Sequence, residues 1–392
     1  MNHRGNNQTP LLASLLLTGF ASTGTSVIWN GLPFIAKRDY SFSETQNLAL
    51  YLLIGLLYVP GALSSGKVIR FIEQYVSTRS FLAVILSIET VVCLLPLFFS
   101  GPWVIWVAGG VAGFCSAWLW PIVESYLVAG RHGADMRRVI GWWNIVWMVA
   151  VAAVMFAMAP LMTSHASMVI VGLGAMNLCA LFVLPWYRKN PSAHEVSKAK
   201  QHVPRVYKDL LCGARVLLPL SYVINGVFAP LLPFVLSGLL VDIAWQTPLA
   251  AVWMLARVGA TGWMWKTGGW HGRWSVLWFA IGSMALGFVL ILSAPNLAIL
   301  AFGLALFGIG MGVTYYAALY YAMAVGNAEV DAAGKHEALI GSGYMIGPII
   351  GLVTIQVADS SQVHSFQTLI YAILFLIALS IGALAVFGKK AR

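Results

Sequence analysis

Charge is what this chain has least of. Asp, Glu, Lys and Arg make up 9% of its 392 residues, where a soluble domain carries roughly 25%. That is too little to clothe a surface in water, and it excludes an ordinary soluble protein. With 60% apolar residues, most of the surface must meet lipid. Acids are scarcer than bases, 13 against 23, leaving a net charge of +10. In a soluble domain that excess would point to nucleic acid. Here the bases lie in breaks between apolar runs, so membrane topology accounts for them, and no nucleic-acid partner is expected. Cysteine is limited to Cys93, Cys115, Cys179 and Cys212, far apart and without CxxC or Cys/His grouping. They read as small packing residues, and no metal or cofactor is expected. GxxxxGK[ST], HExxH and GxSxG are all missing, so nothing points to ATP, metallopeptidase or serine-hydrolase chemistry. A membrane enzyme would need clustered His, Asp or Cys near one interface. A sensor would append a soluble domain, and no loop exceeds about 25 residues, too short for one. Neither feature is legible, and no enzyme is expected. A cleavable leader is not evident: MNHRGNNQTP is polar, and the apolar run after it is too long for an h-region.

What the chain does have is long apolar runs. A spanning helix needs about 20 apolar residues. Runs of that length predict twelve spans, at 11–36, 46–66, 78–99, 103–129, 138–161, 165–187, 209–237, 245–266, 273–294, 297–325, 337–358 and 363–388. The runs are continuous, whereas barrel strands would alternate over about 10 residues, so the fold class is all-α and polytopic. The longest polar stretch, 188–208, sits at the middle and holds Arg188, Lys189, Lys198, Lys200, Arg205 and Lys208 against one acid, Glu195. It divides the chain into a six-span half at 1–187 and another at 209–392.

Orientation follows from Lys and Arg. With the N-terminus in the cytoplasm, nearly every base outside the spans falls in an inside loop, and the outside loops hold only Lys37 and Arg38. That asymmetry predicts a multi-pass protein of the cytoplasmic membrane with both termini inside. It also checks the number of spans, because one missed span would scramble the parity. Six spans, a basic inside loop and six spans is the layout of two parallel repeats. An echo is visible between 112–130, AGFCSAWLWPIVESYLVAG, and 308–326, GIGMGVTYYAALYYAMAVG. Both run from small residues through aromatics to a glycine.

Twelve spans, inside termini, a central basic loop and about this length resemble the major facilitator superfamily. The resemblance covers the whole chain. The family's loop after span 2, GxxxDRxGRR, is matched in part by Gly61 to Arg70, GALSSGKVIR, without its acid. Gly262 to Arg273, GWMWKTGGWHGR, stands at the equivalent place after span 8. The fourth-span arginine of the family is absent. A GxxxGPxxG motif, which the family's antiporters carry in span 5, is present in span 11 as Gly343, Gly347, Pro348 and Gly351. The resemblance implies two pseudo-symmetric six-helix bundles around a cavity lined by spans 1, 4, 7 and 10, with spans 3, 6, 9 and 12 as outer supports. It also implies secondary transport by alternating access.

Three ionisable residues lie inside spans: Glu89, Glu124 and Arg257. A charge at the bilayer centre costs about 2.5–3.5 kcal/mol on insertion scales, so each needs a cavity or a partner. Glu124 follows Trp118, Trp120 and Pro121 in span 4. Desolvation by aromatic walls disfavours a carboxylate's charged form, and a carboxyl that exchanges its proton near neutral pH is what proton coupling requires. Pro121 breaks the helix hydrogen-bond pattern and is a hinge candidate. The plain alternative for Glu124 is a partly hydrated residue near the inside end of the span. Arg257 cannot discard its charge and is expected to serve substrate or gate electrostatics, or else a structural ion pair. Glu89 reads as a structural hydrogen-bonding residue. Tyr315, Tyr316 and Tyr320 of span 10, with Trp118 and Trp120 opposite, would form an aromatic wall suited to a ring-bearing, sugar-like or cationic solute. Packing at the membrane surface is the equal alternative. Trp29 and Asn30 of span 1 (with Thr23, Thr25 and Ser26), Asn144 of span 5, and Tyr222 and Asn225 of span 7 are further cavity candidates. Gly343, Gly347, Pro348 and Gly351 are gate or hinge candidates at the seam between moving halves, with static helix packing as the equal alternative. Lys335, His336 and Glu337 read as a solvated start of span 11, with an inside gate closed through ion pairs as the alternative.

These readings combine into a monomeric secondary transporter of a small organic solute. Proton coupling through Glu124 and export by antiport are expected. Uptake by symport is the alternative, and a membrane enzyme or sensor a remote one.

Overall fold

The computed structural model describes residues 8–131, 133–191, 204–325, 330–358 and 362–390. The polar N-terminus at 1–7 and most of the basic central strap, 192–203, lie outside the described residues. Every regular element among those described is helical. In the N-terminal half, span 1 is Leu11–Tyr40, span 2 Glu44–Ile72, span 3 Thr78–Leu97 and span 4 Trp103–Val128. Span 5 joins Gly133–Ala157 to Ala159–Ser164, and span 6 is Met168–Trp186. In the C-terminal half, span 7 is Arg205–Gly238, span 9 Ser275–Leu292, span 10 Leu297–Val325, span 11 Val330–Val357 and span 12 Gln362–Lys390.

Eleven of these are long and apolar enough to cross a bilayer. Span 8 is the exception, because it is made of two pieces, Ile243–Ala250 and Val252–Lys266, of 8 and 15 residues. Pro248 in the first piece has no N–H to give the preceding turn. The Ala251 N–H then closes a tight turn onto the Thr247 and Pro248 carbonyls, both at 3.1 Å. Together the pieces fill the predicted 245–266, so the twelve-helix, two-half architecture holds.

Helix ends are set by local chemistry. Ser43 and Gln46 form a capping box at the start of span 2: the Ser43 hydroxyl accepts from the Gln46 N–H at 3.3 Å, and the Gln46 side chain accepts from the Ser43 N–H at 2.8 Å. Past the end of span 4, Gly130 takes a left-handed φ of 67°. The buried Arg131 guanidinium then donates to the Leu127 carbonyl and, at 3.1 Å, to that of Thr9, occupying a carbonyl that the helix leaves unpaired.

Two ends differ most from the predicted ones. Span 2 continues to Ile72 rather than stopping at 66, and span 11 begins at Val330 rather than 337. Hydropathy falls where Lys, Ser and Glu begin, but helix propensity does not fall with it. The correction matters for Glu337. It is not a solvated helix start; it lies about two turns inside a helix and is buried.

Within the first half, span 1 packs on spans 5 and 6, and span 2 on span 4; within the second, span 10 packs on spans 7, 8 and 9. The halves meet mainly where span 2 lies along span 11 and span 5 along span 8. Polar ties also cross the seam. The Asn47 amide donates to the Pro33 and Pro230 carbonyls, each at 3.1 Å. Lys37, expected in a loop, ends span 1 and donates to the Pro233 carbonyl at 2.8 Å and to the Ser237 hydroxyl. The glycine stripe of span 11 is only partly at the seam. Gly343 and Gly347 press against the span 7 backbone of their own half, and Gly351 alone of the three meets Leu48 across it. Pro348 sits over Gly226 of span 7.

Candidate functional site

Span 1 is not a uniform helix. Val27–Gly31 forms one widened π-turn, and Asn30 donates its side-chain amide five residues back to the Thr25 carbonyl at 3.0 Å. The turn carries Trp29 to the seam, where its ring stacks on Tyr344 of span 11, centroids 4.0 Å apart and planes 25° from parallel. Tyr58 of span 2 meets Trp29 edge-on at 5.5 Å, and Tyr222 of span 7 meets Tyr344 at 5.1 Å. These rings border a cavity between the halves. Its wall includes Thr25, Trp29, Asn30, Tyr58, Trp120, Trp143, Trp147, Tyr222, Arg257, Tyr315, Glu337 and Tyr344.

Two ionisable side chains, Arg257 and Glu337, are part of this wall. Arg257 of span 8 is 1% exposed. Its guanidinium lies over the faces of Tyr315 at 4.6 Å, Trp147 at 4.8 Å and Tyr222 at 5.9 Å. It donates to the Tyr222 hydroxyl at 3.2 Å and to the Met311 sulfur at 3.7 Å, and its Nε has no partner. Glu337 accepts a hydrogen bond from the Tyr58 hydroxyl at 2.5 Å, so the bond joins the two halves. Glu124 stands one turn beyond Trp120 on span 4. One of its carboxyl oxygens is buried without a partner, and it is within electrostatic reach of Glu337.

The structure places the sequence candidates in three groups. Trp29, Asn30, Trp120, Tyr222, Arg257 and Tyr315 line the cavity. Asn144 and Asn225 stand behind it. Asn144 accepts from the Trp147 indole at 3.1 Å and so sets the ring over Arg257, while Asn225 donates to the Tyr344 hydroxyl at 3.0 Å. Trp118, Tyr316 and Tyr320 are elsewhere, which corrects the single wall drawn from sequence. Trp118 packs on Phe81 and Phe114 and donates to Ser64, on the side away from Trp120, because residues two apart on a helix do not share a face. Tyr316 and Tyr320 do share a face, but it meets Trp270 and His271, with Tyr320 stacked on His271 at 4.5 Å. Tyr315, one residue earlier, is the one turned to the cavity. Pro121 is buried inside an unbroken helix. Glu89 is buried and accepts from Ser116 at 3.4 Å, away from the cavity. Among the residues that sequence reasoning missed are Glu337, Tyr344 and Tyr58, with Trp143 and Trp147 of span 5. The run AAGKHEALIG was a usable signal, since its Ala, Lys and Glu favour helix and place Glu337 well after the first turn.

The family model described as Major Facilitator Superfamily matches residues 14–352. The solved structure of the nucleoside transporter NupG superposes with a TM-score of 0.66 at 13% identity, covering 97% of this chain and 98% of that one. A mutant of NupG gives 0.67 at 11%, with 96% and 98% covered. The human organic anion transporter MFSD10 (TETRAN) gives 0.62 at 13%, with 97% and 100% covered. At such identities the structural likeness concerns the fold alone. No curated protein matches the chain by sequence.

Proposed function

The chain belongs to the major facilitator superfamily and is a multi-pass membrane transporter, and from that premise we propose that it moves a small organic solute through the cavity between its halves, driven by a proton gradient. The halves are 1–187 and 209–392, and 188–208 is the cytoplasmic strap between them. The protein works as a monomer in the cytoplasmic membrane with both termini inside, the arrangement that the distribution of Lys and Arg favours.

The observation that carries the coupling is the bond from Tyr58 to Glu337 with Glu124 nearby. A carboxylate accepts strongly from a phenol, and a neutral carboxylic acid accepts less well. Proton occupancy of the carboxyl pair therefore changes a contact that holds span 2 to span 11. A ligand or proton shifts a two-state equilibrium by its differential affinity for the states, and this bond supplies the difference. Solved relatives of the same fold are named as carriers of nucleosides and organic anions, which is in keeping with a small organic cargo. Export by antiport is the direction carried over from the Gly343, Gly347, Pro348 and Gly351 motif.

The test is solute flux in proteoliposomes under an imposed pH gradient. Glu124→Gln is expected to abolish concentration of solute while leaving downhill exchange. If that variant concentrates solute like the wild type, the coupling assignment is wrong. Concentration on the side predicted for symport would reverse the direction.

A further inference from the structure

Among the described residues of the cavity wall, Arg257 is the permanent cation and Glu337 the carboxyl. Their situations differ. Glu337 already accepts from Tyr58 at 2.5 Å. Arg257 has no carboxylate within ion-pair distance among the described residues. A guanidinium has five N–H donors. Here one goes to the Tyr222 hydroxyl, one to the sulfur of Met311, which is a weak acceptor, and Nε has none. The aromatic faces of Tyr315 and Trp147 steady the positive charge, but they leave Nε without an acceptor. Arginine stays charged at every physiological pH, so this buried fork keeps both its charge and its spare donors.

We propose that the transported solute is an organic anion with a flat ring, its carboxylate-type group bound by Arg257 and its ring held against Trp29, Tyr222 and Tyr344. This rests on the cavity being the solute site. The anion supplies the acceptors that Nε and the remaining N–H groups lack, in the paired geometry a guanidinium matches. A neutral solute leaves the charge uncompensated. A cationic solute meets permanent repulsion from Arg257, while the carboxyl that would attract it is engaged by Tyr58. The cationic class admitted by the aromatic wall is thereby set aside.

The test uses three probes that share one ring and differ in charge: indole-3-acetate, indole-3-acetamide and tryptamine. Thermal unfolding of the full-length protein in lipid nanodiscs is followed against concentration of each. Indole-3-acetate is expected to raise the melting temperature with at least tenfold higher apparent affinity than the amide or the amine. Arg257→Gln is expected to erase that preference and Arg257→Lys to keep part of it. If Arg257→Gln does not fold, the comparison of the three probes on the wild type and on Arg257→Lys still decides. An amide or amine that binds as tightly as the acid overturns the proposal, and so does the lack of any shift with the acid. Binding of indole-3-acetate without flux in proteoliposomes would leave the anion site standing and count against the transport reading. Tryptamine concentrated under a pH gradient would keep transport and overturn the anion.

Discussion

The phenol of Tyr58 and the carboxyl of Glu337, 279 positions apart in the chain, meet at 2.5 Å across the seam of the two halves. Tyr58→Phe deletes this bond and leaves the carboxyl buried without it. Hydrogen bonds to charged groups contribute about 1.5–3 kcal/mol, so the melting temperature should fall by several degrees. Tyr51→Phe is the matched contrast: its hydroxyl is buried with no partner, so removing it should leave stability unchanged or raise it. Unfolding scans of both variants in one detergent check the pair.

Glutamine at 337 keeps an acceptor for Tyr58 and removes the titrating group. Glu337→Gln should therefore melt near the wild type yet lose about tenfold or more of its pH-driven accumulation, a free-energy change of roughly 1.4 kcal/mol. Flux and unfolding measured on the same preparation separate coupling from stability.

An alanine methyl at Gly347 would lie 2.5 Å from the Val223 carbonyl oxygen. Backbone on a packed helix has little room to yield, and overpacking of this kind costs about 1–3 kcal/mol. Gly172 in span 6 has nothing within 4 Å of the same methyl, so Gly172→Ala should be neutral or gain up to about 1 kcal/mol from helix propensity. Melting temperatures of opposite sign are the expected outcome.

His271 lies in the connection between spans 8 and 9, stacked on Tyr320 with planes 15° apart. Burial pushes its imidazole below the usual histidine range, and the charge of Arg137 adds to this. The folded protein thus holds that proton less tightly than the unfolded chain does. The stability tied to the neutral ring is complete above about pH 6.5 and is lost as the pH falls below that value. Melting curves between pH 7.5 and 5.5 should show a steeper acid decline in the wild type than in His271→Gln.

The spans were legible because lipid demands continuous apolar runs, and a run can be read without knowing its neighbours. Faces were not legible. Span 4 is apolar on all sides, so sequence alone does not say that Trp120 turns to the cavity and Trp118 to span 3. The same holds for Tyr315 against Tyr316 and Tyr320. Glu337 was hidden for the opposite reason. Polar sequence around Lys335 looked like a helix start, although the helix had begun at Val330. Arg257 was found because a charge inside a span announces itself; its aromatic cradle comes from spans 5, 7 and 10, which no local pattern brings together.

The widened turn at Val27–Gly31 has a consequence for the far end of span 1. One additional residue in a helical turn rotates everything after it by about 100° relative to an unbroken helix. Lys37 meets Pro233 and Ser237 of span 7 only in that shifted phase. Rewinding the turn would swing this clasp out of alignment while leaving the roughly four turns of Leu11–Ser26 where they are, so a single local change of winding suffices to unlatch one end of the molecule.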